Sequence, residues 1–204
     1  RVLKPRGVFV TTASQPFTSA LVMSNPEWFK YEWVWVKTRA TFFQHAKNSP
    51  LRKHENVLVF SDGVINHEGL TDNRMNYYPQ MKEGKPYIKK HVTPNVNGAG
   101  MHNASKANLD FVGSVSVNNG ERWPDTVLNF PSGNNFSKHP TQKPVALYRY
   151  LIETYTRPGE LVLDFCCGSG TTAVAAFQCG RQFIAGDTCL EYVCLLYTSP
   201  SPRD

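Results

Sequence analysis

Leu161-Val162-Leu163-Asp164-Phe165-Cys166-Cys167-Gly168-Ser169-Gly170-Thr171-Thr172 is the stretch on which the reading of this 204-residue chain turns. A short apolar run ends in an acid, two glycines follow, and a run of small residues from Thr171 to Cys179 then reads as a helix closed by Gly180. Gln182-Phe183-Ile184-Ala185-Gly186-Asp187 reads as a second strand. Strand, glycine turn, helix and strand make a βαβ unit, which requires a parallel pair and a right-handed crossover. Open α/β sheets bind ligands at the carboxyl ends of such strands. Gly168 and Gly170 allow a tight turn and close approach of the backbone to a ligand. The N–H groups of residues 169–172, together with the helix dipole, favour an anionic or polar ligand group. Asp187 ends the second strand, where a carboxylate can accept hydrogen bonds from both hydroxyls of a ribose. The pattern predicts a site for an adenosine-type cofactor.

Working outward, residues 144–157 place Leu147, Tyr148, Leu151, Ile152 and Tyr155 on one face, with Pro144 at the start and Pro158-Gly159 at the end, and so predict an amphipathic helix. Near the amino end, Val8 to Thr11 and Glu55 to Phe60 read as strands. Tyr31-Glu32-Trp33-Val34-Trp35-Val36-Lys37 carries three aromatics at period two and also reads as a strand. A helix is expected over 16–25, and a loop over 38–54. Residues 61–135 are rich in Asn and Gly and poor in apolar runs, which predicts a loop-rich insertion on an α/β body.

The formal net charge is +6, and residues 1–60 account for all of it, with nine Lys/Arg against three Asp/Glu. Within 37–53 stand Lys37, Arg39, Lys47, Arg52 and Lys53 without an acid. A local cationic stretch beside aromatics points to a polyanion partner. The five cysteines (166, 167, 179, 189, 194) have no CxxC spacing and no histidine among them, so no metal site is expected. No apolar run reaches the length of a membrane span.

Gly168-Ser169-Gly170-Thr171-Thr172-Ala173 also satisfies GxGxxA, which admits a nicotinamide-dependent oxidoreductase. Such an enzyme has no evident use for His139-Pro140-Thr141-Gln142-Lys143-Pro144 just ahead of the βαβ unit, nor for a basic arm and a polar insertion.

His139-Pro140-Thr141-Gln142-Lys143-Pro144, followed by a helix and then by Val162-Leu163-Asp164 and Gly168-Ser169-Gly170-Thr171-Thr172, resembles the circularly permuted N6-adenine/N4-cytosine DNA methyltransferase family. Val2-Leu3-Lys4-Pro5-Arg6-Gly7 is similar to that family's LKPGG turn. Residues 31–37 and 54–60 are similar to the strand pair that follows it, and Tyr78-Pro79-Gln80-Met81 falls where target recognition begins. The resemblance covers nearly all of 1–193. It implies a partial Rossmann-like, S-adenosylmethionine-dependent α/β sheet divided into the rest of a catalytic half (1–60), a target-recognition insertion (61–135) and a cofactor-binding half (136–193).

The same resemblance assigns Thr141, Lys143, Asp164, Phe165, Cys166, Gly168, Ser169, Gly170, Thr171 and Asp187 to S-adenosylmethionine. Phe165 and Cys166 depart from the usual D-P-F-x-G-S-G loop, where Pro and Phe stand. Lys37, Arg39, Lys47, Arg52 and Lys53 are assigned to the phosphates of double-stranded DNA, and Trp33 and Trp35 to the pocket for a flipped base. The implied reaction is methylation of adenine N6 by a bacterial or phage-encoded, cytoplasmic enzyme. Cytosine N4, or a non-catalytic DNA-binding fragment, are the alternatives. The catalytic tetrad, DPPY, SPPY or SPPW, occurs nowhere in the chain and is expected upstream of Arg1, so turnover by the chain itself is not expected. Residues 194–204 resemble the in-frame translation of a sequencing-library adapter, which leaves 1–193 as natural sequence.

Overall fold

The computed structural model describes residues 2–65, 71–94, 111–132 and 142–189. They belong to two compact units, one of residues 1–80 with 125–204, the other of residues 81–124.

In the first unit, β1 (Val8–Ala13), β2 (Phe29–Thr41), β3 (Arg52–Ser61) and β8 (Val127–Asn129) form a sheet in the order β1-β3-β2-β8. β3 pairs antiparallel with both β1 and β2, and β8 joins β2 in parallel. The register sets Tyr31 opposite Val59, Trp33 opposite Val57 and Trp35 opposite Glu55. Side chains alternate along a strand, so these six residues share one face of the sheet. β3 is central, with Val57, Leu58, Val59, Phe60 and Ser61 all buried. One face receives α2 (Val145–Tyr155), whose Leu147, Leu151 and Tyr155 pack with Trp33, Trp35, Val57, Val59, Met75 and Leu128. The other receives α1 (Phe17–Ser24), where Leu21 and Val22 lie against Leu58, Phe60 and Ala13.

β9 (Leu161–Asp164) and β10 (Gln182–Ala185) form the expected parallel pair, joined through α3 (Thr171–Gln178). Ala175 and Ala176 of α3 are fully buried against Ile152 of α2, with Val145 and Val162 packed alongside. Small residues on α3 let the helices and the strand pair approach closely.

The second unit is narrower than the insertion that composition sets off at 61–135. Residues before 81 and after 124 belong to the first unit because they serve its core: Met75 and Leu128 are buried there, and the Tyr78 N–H donates to Thr154 O at 2.7 Å. It is also more regular than a loop-rich segment. β5 (Tyr87–Pro94) and β6 (Phe111–Asn118) pair antiparallel over eight positions, and β4 (Lys82–Glu83) pairs with β7 (Glu121–Arg122). Among the described residues no helix is long and apolar enough to cross a membrane, and no cluster of His, Cys, Asp and Glu could hold a metal ion.

Candidate cofactor site

The loop from Asp164 to Thr171 joins β9 to α3, and both glycines adopt positive φ, 49° at Gly168 and 82° at Gly170. Gly170 is the N-cap of α3, and no side chain caps the helix. The first-turn N–H groups of a helix lack partners within it. They remain directed into the turn, where a polar ligand group can meet them.

Two carboxylates brace this loop. Asp164 accepts the Cys166 N–H at 3.0 Å and the Thr172 hydroxyl. Asp187 accepts the Gly168 N–H at 2.8 Å with one oxygen and the Cys189 N–H at 2.9 Å with the other. Each carboxylate oxygen has two lone-pair sites, so one hydrogen bond does not saturate it. The parallel ladder continues past the strands, with Gly186 N–H donating to Asp164 O at 2.8 Å and Cys167 N–H to Gly186 O at 3.0 Å. That extension brings the Asp187 backbone level with the glycine turn.

Burial raises the thiols of Cys166 and Cys167, and the charges of Asp164 and Asp187 push the same way. Phe165 is 66% exposed, its ring stacked on that of Phe9 with centroids 6.4 Å apart and planes 9° apart.

The structure thus brings together Asp164, Phe165, Cys166, Gly168, Ser169, Gly170, Thr171 and Asp187. Thr141 lies outside the described residues, as do residues 194–204. Lys143 is described, and its ammonium meets Glu55 Oε2 at 2.6 Å. Two side chains near the site were given no role there by the sequence, and a third was given only a backbone one. Thr172, read from sequence for its backbone N–H, also orients Asp164 through its hydroxyl from the second position of α3. Glu55 and Tyr148 carried no signal but their inward faces. Burial raises the Tyr148 phenol, and nearby negative charge pushes the same way; the side chain packs between the core of the four-stranded sheet and Ile152, Ala175 and Ala176.

Two assignments are corrected. Trp33 and Trp35 are 3% and 2% exposed, held in the core with Trp33 Nε1 donating to Tyr155 Oη at 2.7 Å and Trp35 Nε1 to Phe130 O at 2.9 Å. They do not line a base pocket. Lys37 continues the inward series of Tyr31, Trp33 and Trp35, and its ammonium meets Glu55 Oε1 at 2.5 Å with the side chain 13% exposed. A cation so enclosed is not offered to phosphate. Arg39, Lys47, Arg52 and Lys53 are exposed. They stand on the outer part of the β2–β3 hairpin, where Thr41 pairs with Arg52 and the Arg52 guanidinium covers the ring of exposed Phe42 at 4.0 Å.

Comparison with known proteins places these features. The family described as DNA methylase, of the N6/N4 methyltransferase kind, matches residues 1–197. The DNA adenine methyltransferase YhdJ of Escherichia coli (strain K12) is 38% identical over 79 residues, 37% of this chain and 27% of that protein. The type II methyltransferase M2.DpnII of Streptococcus pneumoniae is 48% identical over 56 residues, 28% of this chain and 21% of that one. The matched segments span less than a third of these curated relatives. Among solved structures, the PvuII DNA methyltransferase (cytosine-N4-specific) superposes with a TM-score of 0.60 at 16% identity, covering 99% of this chain and 67% of the other. The M1.HpyAVI–SAM complex superposes at 0.56 and 22% identity, covering 94% and 73%. These likenesses establish a Rossmann-like methyltransferase fold.

Proposed function

The chain belongs to the N6/N4 DNA methylase family, and from that premise we propose that it forms the cofactor-holding body and a DNA-contacting arm of an S-adenosylmethionine-dependent DNA methyltransferase acting on adenine N6. The observation that carries the reading is the braced glycine turn at the carboxyl end of a parallel pair. The residues present fit the cofactor chemically. Asp187 stands just past β10 beside the glycine turn, where a carboxylate can accept from ribose hydroxyls, and the uncapped start of α3 offers N–H groups to a polar moiety. When bound, S-adenosylmethionine supplies a methyl group made electrophilic by its sulfonium. The chain's own work is to orient that group. Asp164, fixed by Thr172, holds the turn, and Gly168 and Gly170 keep the backbone low enough for close contact.

The adenine reading draws support from the likeness to YhdJ, a DNA adenine methyltransferase. No DPPY, SPPY or SPPW tetrad occurs in the sequence. An exocyclic amine needs acceptors for its protons before its lone pair can attack, so the chain alone binds without turning over. Arg39, Lys47, Arg52 and Lys53 meet phosphate.

Equilibrium binding of radiolabelled S-adenosylmethionine, with NAD as competitor, tests the cofactor. Binding that S-adenosylhomocysteine displaces and NAD does not is expected, and binding of NAD instead would sink the reading. Duplex binding across a salt series tests the arm. Replacing Lys47, Arg52 and Lys53 by Ser should flatten the log–log slope by about 0.9 for each lost phosphate contact. An unchanged slope moves DNA elsewhere on the surface. Transfer of methyl to cytosine by the chain supplied with a tetrad-bearing segment would replace adenine by cytosine N4.

A further inference from the structure

We infer that Glu55 is a positioning residue, which pins the chain just ahead of α2 through Lys143 and so holds one wall of the cofactor site; the inference rests on the function proposed above. Glu55 is the anomaly of its strand. Along β3, residues 55, 57 and 59 face α2, and Val57 and Val59 are fully buried in the core there. The same alternation places a carboxylate at 55 where an apolar side chain would suit the packing. It is 15% exposed, and so are the lysines on either side of it, Lys37 at 13% and Lys143 at 20%. Each carboxylate oxygen takes one ammonium, at 2.5 Å for Lys37 and 2.6 Å for Lys143. Both ammonium groups also lie over the Trp35 ring, 5.4 and 5.7 Å from its centroid.

Three charged side chains converging on one buried indole are not an incidental surface pair. Exposed pairs cost two long side chains their freedom for little gain, whereas a desolvated pair is held hard because releasing one partner strands the other. Burial raises the Glu55 carboxyl, but the hydrogen bonds and charges of Lys143 and Lys37 outweigh it and hold it below the usual glutamate range.

The pin is transmitted over a short, stiff path. Lys143 is followed by Pro144, the N-cap of α2, whose ring fixes φ at −65° with extended ψ of 134°. One turn on, Tyr148 donates its backbone N–H to Pro144 O at 3.3 Å. Its side chain packs both against the core of the four-stranded sheet and against Ile152, Ala175 and Ala176 beside the parallel pair. Glu55 therefore ties the β2–β3 sheet to the start of α2, and α2 in turn packs on α3 beside the strand pair that carries the glycine turn. Lys143 spends its charge on this tie, so its role is to hold the wall rather than to contact the cofactor.

The experiment measures the S-adenosylmethionine dissociation constant and the melting temperature of the full chain and of Glu55→Gln, Lys143→Met and the double variant. Glu55→Gln and Lys143→Met should each weaken binding roughly five- to fifty-fold, and the double variant should be no weaker than Lys143→Met alone, because the two act through one contact. Leu58→Val, a core change on the opposite, α1 face of the sheet, should lower the melting temperature and leave the dissociation constant unchanged. That separates positioning from general destabilisation.

If Lys143 instead contacts the cofactor directly, Glu55→Gln frees its ammonium and binding holds or tightens, which overturns the inference. Full additivity of the two substitutions overturns it as well. Should Glu55→Gln fail to fold, Lys143→Met decides alone: it leaves Glu55 paired with Lys37, and unaltered binding by it refutes the pin. Failure of the unsubstituted chain to bind S-adenosylmethionine fells the proposed function, and the inference falls with it.

Discussion

Tyr155 uses its hydroxyl twice, accepting from Trp33 Nε1 at 2.7 Å and sharing a hydrogen bond with Tyr31 Oη at 2.9 Å. Burial raises the Tyr31 phenol to about 12, so it stays protonated through the neutral range. Replacing Tyr155 by Phe removes only the hydroxyl but orphans a buried indole N–H, at a cost of about 1–3 kcal/mol. Urea unfolding should show that loss. A loss near zero would mean that Tyr31 turns to satisfy the indole in its place. The aromatic series at 31, 33 and 35 was legible because period two is the signature of a half-buried strand. Its continuation to Lys37 and its partner Glu55 was not. Charge outside a core is the default for lysine and glutamate. Only the register, which pairs Trp35 with Glu55, shows that the two enter the same face from different strands.

At the scale of elements, α3 offers an internal comparison, since a positive-φ glycine stands at each end. Gly170 precedes the helix with φ 82° and Gly180 follows it with φ 68°, and a side chain at 180 would meet nothing within 4 Å. Ala in the left-handed region costs about 1–2 kcal/mol. Gly170→Ala and Gly180→Ala should therefore lower stability alike in thermal unfolding, while only Gly170→Ala should weaken S-adenosylmethionine binding in a calorimetric titration. Equal binding by both variants would leave the glycine turn as mere helix punctuation. The βαβ unit was readable from sequence because its signals are local: an apolar run, a glycine turn and a Gly stop all lie within 27 residues. The β5–β6 ladder was not, because the Asn and Gly of the surrounding segment read as loop, and Lys89 and Lys90 interrupt the apolar alternation of β5. Pairing between segments is what composition cannot express.

For the whole first unit, α2 is the element that both sheets depend on. Leu147, Leu151 and Tyr155 enter the core of the four-stranded sheet, while Ile152 packs on Ala175 and Ala176 beside the parallel pair. A helix that seats two strand systems with different faces makes their stabilities separable. Ile152→Ala removes packing on the cofactor side only, and large-to-small changes at buried aliphatic positions cost about 2–5 kcal/mol. Local opening draws on local contacts, so amides of β9, α3 and β10 should lose exchange protection while those of residues 57–61 keep theirs. Leu147→Ala, at a fully buried position in the larger core, should lower protection in both regions. Hydrogen exchange read by mass spectrometry distinguishes the two patterns. A uniform loss in Ile152→Ala would show one cooperative body, in which case the cofactor turn has the stability of the whole core rather than that of its own small cluster.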